Sequence, residues 1–377
     1  MIFEIIVFVL FLFHCVVMKA NDLQISEERR RGRGALSNES GRFDLRRNTE
    51  CDGWDIEEDL PSFRTNISLE KAKTIITRNV SPDLPFDRSV NPYRGCEHGC
   101  IYCFARPTHC YLGFSAGLDF ETQIIARPNA ASLLESELRR KSYQVATIAI
   151  GTNTDPYQPA EKDLEIMREC LQVLSAFNHP VGIVTKGTLI ERDIDILASM
   201  AARGLVHVGV SVTTLDAKLS RLMEPRVPSP KRRLQTIERL SKAGIPVRVM
   251  MAPVVPSVTD HEVERVLEAS KDAGAKAASW IMLRLPREVS PLFREWLETH
   301  FPMRAERVMA RLQEMHSGRD YSANWGRRMR GEGHYASMIA ARFKIAMRCE
   351  GLAENLPPLR SDLFQAPLAQ GSQMALF

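Results

Sequence analysis

The stretch Cys96-Glu97-His98-Gly99-Cys100-Ile101-Tyr102-Cys103 decides how this 377-residue chain is read. Its three cysteines follow a C-x3-C-x2-C spacing, and consecutive backbone turns of such a loop can wrap thiolates around one corner of a cubane cluster. A [4Fe–4S] cluster takes four ligands. No fourth cysteine lies at short spacing, so one iron is left open for something else. Two other readings compete. Structural zinc prefers four closed ligands, usually in two knuckles; the second knuckle is absent, although His98 or His109 could complete a site. Disulfides need an oxidising compartment and would be strained at this spacing. The other five cysteines, at 15, 51, 110, 170 and 349, show no pairing rhythm, which suits a reducing compartment.

Downstream of this loop the chain becomes repetitive. Residues 129–141 carry Leu133, Leu134 and Leu138 at helical spacing. Then short apolar runs rich in β-branched residues alternate with amphipathic helical stretches. The strands are expected at 145–150, 181–185, 206–212, 247–255 and 276–283. The helices are expected at 161–177, 189–202, 231–242 and 260–272, several closing at a glycine (Gly204, Gly244, Gly274). Strands alternating with helices of 10–15 residues imply βαβ units and a parallel sheet, and right-handed crossovers curl such a sheet into a barrel or part of one. With an ordered segment near Arg88 counted as the first strand, there are six βα units. The fold class is therefore α/β, six βα units whose parallel sheet closes into a TIM-type barrel or part of one.

Parallel barrels carry their sites at the C-terminal strand ends, and polar residues recur there: Thr152, Asn153 and Asp155 after the second strand, Thr185-Lys186-Gly187 after the third, Ser211 and Thr213 at the fourth, Arg284 after the sixth. Turn chemistry and helix N-capping account for any one of them but less well for the set. A lysine directly after a buried strand, Lys186, turns its ammonium into the strand-end crevice, toward a bound carboxylate or an acid such as Asp155. Arg226 reaches either back into the same pocket or to Glu224 at the surface.

The cysteine spacing, with Tyr102 just before the last cysteine, resembles the radical SAM superfamily. The stretch NPYRGCEHGCIYCFARPTH, the TK after the third strand and the S-x-T at the fourth are similar to its spore photoproduct lyase branch, over roughly residues 30–350. That resemblance implies a radical SAM core, the partial (βα)6 barrel. It implies Cys96, Cys100 and Cys103 as ligands of a [4Fe–4S] cluster, whose open iron is chelated by S-adenosylmethionine. One-electron reduction then gives a 5′-deoxyadenosyl radical. Tyr102 would lie near the adenine, Lys186 and Ser211 would contact the methionyl and ribose groups, and Asn153 would lie nearby. A reductase with flavodoxin, or a ferredoxin, is the implied electron donor. No cysteine matches the hydrogen donor of spore photoproduct lyase closely enough to take that role.

The flanks divide the chain into 1–26, a hydrophobic extension; 27–85, a basic, irregular arm; 86–286, the core; 287–352, a helical basic region; and 353–377, a loose tail. Residues 2–18 form the one strongly apolar run, short for a span of about 20 residues and interrupted by Glu4. A dispensable extension, a membrane anchor, a secretion signal and a buried helix all fit it. An oxygen-sensitive cluster favours a cytoplasmic location. The net charge of +4 makes the whole molecule no obvious polyanion binder, so nucleic-acid affinity would come from local patches. Arg29, Arg30, Arg31, Arg33, Arg42, Arg46 and Arg47 read as a disordered arm or a phosphate-contacting segment. In 319–348, basic residues alternate with Tyr321, Trp325, Tyr335 and Phe343, as a phosphate track with stacking platforms requires; the loop with Arg327, Arg328 and Arg330 is the best candidate. The helix expected at 334–349 reads better as a cover for the open barrel edge. Three functions remain open: a nucleic-acid base repair or modifying enzyme, a radical enzyme acting on a protein or small molecule, and a non-catalytic metal-binding module.

Overall fold

The computed structural model describes residues 25–43 and 62–368. The apolar run 2–18, Arg46, Arg47 and the end of the chain lie outside the described residues. Six strands, β3 (Arg88–Val90), β6 (Ile148–Ile150), β7 (Val181–Thr185), β8 (Val206–Ser211), β9 (Val247–Val254) and β10 (Ala277–Met282), pair in parallel in that order. β2 (Ile76–Arg78) pairs antiparallel with β3 at one edge. The inner strands are largely buried runs of Val, Ile and Ala, as a parallel sheet covered on both faces requires.

The principal helices pack outside: α1 (Ala130–Leu138), α2 (Ile166–Ala176), α3 (Ile194–Ala202), α4 (Ala217–Met223), α5 (Pro230–Lys242), α6 (Val263–Asp272), α7 (Val289–His300), α8 (Pro302–Met315) and α9 (Gly333–Cys349). The amphipathic pattern sets their faces: α2 buries Ile166, Met167, Cys170, Leu171 and Leu174, one stripe at helical spacing. The helix expected at 161–177 is broken at Glu165, where φ is 50°. Both carboxylate oxygens of buried Glu161 accept from the Met167 N–H, at 3.0 and 3.1 Å, and so cap the second piece. Among the described residues, no helix is long and apolar enough to cross a membrane.

A small second sheet, β1 (Asn66–Leu69), β5 (Gln123–Ala126) and β4 (Tyr93–Arg94), went unseen in the sequence. It fixes the site, because β4 ends just before Cys96, and Cys96 N donates to Phe120 O at 2.9 Å. Two flanks depart from expectation. Ala35, Leu36 and Arg33 of the basic arm are buried, so that part is folded. Residues 353–368 are held as well: Ala353 bridges to Ala277 at the β10 edge, and Phe364 packs on Phe177, His179 and Tyr143. α9 lays Phe343 against Trp280 of β10, ring centroids 5.8 Å apart.

Candidate functional site

The cysteine loop leaves β4 at the C-terminal mouth of the barrel and is locked from beneath. Arg106, fully buried, donates to Cys100 O at 3.0 Å, Gly99 O at 3.3 Å, and Ala116 O and Gly117 O at 3.0 and 2.9 Å. It is also ion-paired with buried Glu121 at 2.5 Å. The Glu121 carboxylate in turn accepts from Gly34 N and Ala35 N at 2.8 and 2.9 Å, and Arg33 donates to the Glu121 carbonyl. A Cβ on Gly34 would lie 1.9 Å from Gly99 O, and Gly99 itself sits at φ 66°. Only glycine fits such an approach without displacing backbone. The basic arm is therefore a buried strut of the loop.

Above this base stand the three thiols, with Cys96 and Cys100 buried, Cys103 half-buried and all three free of disulfides. Burial first, then Asp155 and the neighbouring cysteines, pushes the Cys96 thiol well up; burial and Glu224 push up Cys100 against the pull of Lys186. Desolvated thiols of this kind ionise only against a cation, which is what an iron–sulfur cluster supplies. The donor set fits a cluster held by three cysteines. It fits zinc less well: His98 Nδ1 is paired with Asp155 at 3.2 Å, and His109 Nε2 lies 2.9 Å from Gln123 O. Among the described residues, no three His, Cys, Asp or Glu side chains are gathered as a single metal ion needs.

Two carboxylates, Glu224 buried and Asp155 largely covered, organise the wall facing the thiols. Asp155 accepts from Thr185 Oγ1 (2.6 Å), Lys186 N (2.7 Å) and Tyr157 N (2.9 Å). Burial alone would raise its pKa, but His98 and these donors hold it down at about 2. Glu224 accepts from Tyr102 OH and from Thr213 Oγ1 (2.9 Å), and is ion-paired with fully buried Arg233 at 2.7 Å. Burial opposes its charge, yet Arg233 and Lys186 keep it below the usual carboxylate range. Lys186 places its ammonium 5.7 Å from the Tyr102 ring centroid. Burial works against that charge, but Cys100, Glu224 and Asp155 outweigh it and raise the pKa.

The expected residues therefore share one mouth but not one role. Ser211 Oγ donates to Ala252 O at 3.3 Å, and Thr213 is committed to Glu224. Thr152 is half-buried and Asn153 exposed on the loop after β6. Arg226 turns to Glu97 at 3.2 Å rather than to Glu224, and its N–H donates to His98 O. The sequence reading missed Glu97, Arg106, Glu121 and Arg233, whose partners follow no helical or strand period: Arg106 and Glu121 are 15 residues apart, Glu121 and Gly34 are 87. Glu97 alone carried a signal: an acid inside an otherwise apolar and cysteine-bearing loop. The Arg327, Arg328 and Arg330 loop is largely satisfied internally, by Glu332 (2.7 Å), Asp83 (2.6 Å) and the Trp280 ring (4.1 Å to the centroid).

Residues 90–269, which include this mouth from the cysteine loop through β9, match the family model of the radical SAM superfamily. These residues form a radical SAM domain. An uncharacterized protein of Mycobacterium tuberculosis is 42% identical over 221 residues, which cover 58% of this chain and 65% of that one. This chain thus spans just under two thirds of that relative. An uncharacterized protein of Methanocaldococcus jannaschii is 24% identical over 215 residues, covering 56% and 76%. In fold, the radical SAM domain and its surroundings are similar to spore photoproduct lyase complexed with dinucleoside spore photoproduct, with a TM-score of 0.55 at 13% identity over 76% of this chain and 80% of the other.

Proposed function

We propose that this protein is a radical SAM enzyme that acts on a nucleic-acid base, in repair or modification. Cys96, Cys100 and Cys103 hold a [4Fe–4S] cluster, and S-adenosylmethionine binds beside it. Together these groups, given one electron by a flavodoxin- or ferredoxin-type donor, supply a 5′-deoxyadenosyl radical that takes a hydrogen atom from the substrate. Lys186 offers its ammonium to the methionyl carboxylate. Tyr102, fixed through its hydroxyl by Glu224, presents its ring near the adenine. Thr213 acts through Glu224, and Asp155 orients Lys186 through the backbone. Ser211, Thr152 and Asn153 line the ribose side, and Arg226 steadies Glu97 and the loop.

The observation that carries this reading is the set of three unbridged thiols at a barrel mouth, with a charged lysine beside Cys100. The nucleic-acid part rests on the fold likeness to spore photoproduct lyase and on arginines and aromatic rings around the mouth. The test is dithionite-driven release of 5′-deoxyadenosine by anaerobically reconstituted protein, comparing wild type with Cys100→Ala. Release that requires Cys100 supports the radical chemistry. A verified, reducible cluster with no release would leave a metal-binding module. Deuterium transfer from candidate nucleic acids into 5′-deoxyadenosine then tests the substrate.

A further inference from the structure

Two arginines of one loop meet two rings of one segment. Arg284 stands two residues past the β10 end, and its guanidinium lies 4.3 Å from the centroid of Phe104, the residue after Cys103. Three residues on, Arg287 Nη1 donates to Tyr111 OH at 2.9 Å. Arg284 is half-buried, and burial lowers its pKa. Among the described residues no carboxylate is ion-paired with it; Asp83, whose charge acts on it, is taken by Arg328 through hydrogen bonds of 2.8 and 2.6 Å. A desolvated guanidinium with its face on a ring keeps edge N–H groups for an incoming oxyanion, and phosphate matches that fork.

The outer pair has a different character. Tyr111 is 63% exposed and Phe43 56% exposed. Their ring centroids lie 5.0 Å apart, and Arg42 sits 5.0 and 5.2 Å from the two rings. Arg287 stands at φ 50°, a conformation an arginine adopts at a cost. Arg42 is ion-paired with Glu288 at 3.0 Å, which leaves Arg287 as the cation beside these rings; exposed rings next to a cation suit alternating bases and phosphates, and they take unstacked bases, as single strands offer.

We infer that these two pairs form a track that leads single-stranded nucleic acid to the cysteine loop. Arg284 takes the phosphate beside the reacting nucleotide, and the Tyr111–Phe43 face stacks a flanking base. This inference rests on the nucleic-acid reading above. Its test is fluorescence anisotropy of a labelled twelve-residue oligothymidylate with reconstituted protein over a range of salt, using wild type, Arg284→Gln, Tyr111→Ala and the remote control Arg360→Gln. Iron content and melting temperature check folding, and Tyr111→Ala, at an exposed ring, guards against a misfolded Arg284 variant. Arg284→Gln is expected to weaken binding about 10-fold and flatten the salt slope by about one. Tyr111→Ala is expected to weaken it about 10-fold with the slope unchanged, and Arg360→Gln to match wild type. If wild type fails to bind at low salt, the nucleic-acid reading falls and the track with it. Wild-type binding with both mouth variants equal to the control overturns the track alone. Equal competition by the matching duplex overturns its preference for a single strand.

Discussion

At the C-terminal end of the barrel strands, Glu224, Arg233 and His98 are buried charged or polar groups and the Asp155 side chain is largely covered, each held by partners from other elements. At the N-terminal end, Phe364 packs on Phe177 and Tyr143, and the one buried titratable group among them, His179, is kept neutral. Buried ion pairs rarely stabilise a fold more than apolar groups of the same volume would. The other end holds a buried charge too, Arg88 paired with Asp87 at 2.7 Å, but the linked cluster of such groups beside three thiols marks where chemistry is placed, while the surroundings of Phe364 are built for packing.

The largest expected effect comes from Glu224→Gln, which leaves Arg233 buried without its counter-charge. A stability loss on the order of 3–5 kcal/mol is expected, read by urea unfolding. Release of 5′-deoxyadenosine should fall as well, because glutamine has one acceptor oxygen for the three donors Tyr102, Thr213 and Arg233. A loss below about 1 kcal/mol would mean that the mouth is not organised around this carboxylate.

His179 sharpens the contrast through pH. Its Nδ1 faces the Pro180 carbonyl at 2.9 Å, an acceptor, so Nδ1 carries the proton and Nε2 accepts from Tyr143 OH at 2.7 Å. Burial, followed by the Arg88 charge, holds its pKa at about 4. The unfolded chain takes up the proton near pH 6.5 and the folded chain only near 4. Stability is therefore fully present above about pH 6.5 and declines as pH falls toward 4, by up to about 3 kcal/mol. His179→Gln should flatten that part of a melting temperature against pH curve. An unchanged slope would break the assignment.

A smaller effect is expected from Phe364→Ala at the same end. The ring is half-buried, so about 1–2 kcal/mol of stability should be lost, part of the cost of a fully buried phenylalanine. Radical release should be unchanged at temperatures where the variant stays folded. Impaired release by a folded variant would show that the two ends are coupled.

The smallest effect concerns the open side of the barrel. Asp83, from the turn before β3, is bound by Arg328, whose neighbour Met329 accepts from the edge strand at Met282 N, 2.9 Å away. This pair joins loops from the two edges of the sheet. Asp83→Asn should cost about 1 kcal/mol or less, as partly exposed pairs do, and should raise hydrogen exchange at residues 324–331. Unchanged exchange would show that the seam holds without it.

Much of this was legible because it repeats or is local. The strand at Val181–Thr185 stands where its apolar run ends, and β8, β9, β10 and the helices around them deviate by a few residues, because hydrophobic period and turn residues are written in consecutive positions. The cysteine spacing was legible for the same reason, and Lys186 was located because it follows a buried strand directly. The two-residue β4 carries no period, and its existence depends on Ile125 and Ala126 pairing with it. Arg33, read as part of a solvated arm, became a buried strut because Glu121, 88 residues on, offers it a carbonyl. The sequence alone determined a barrel of six parallel strands with three cysteines and a lysine at its mouth. Only the tertiary structure decided which charges are buried and with whom, since the cost of burying a charge is offset by partners that chain order does not reveal.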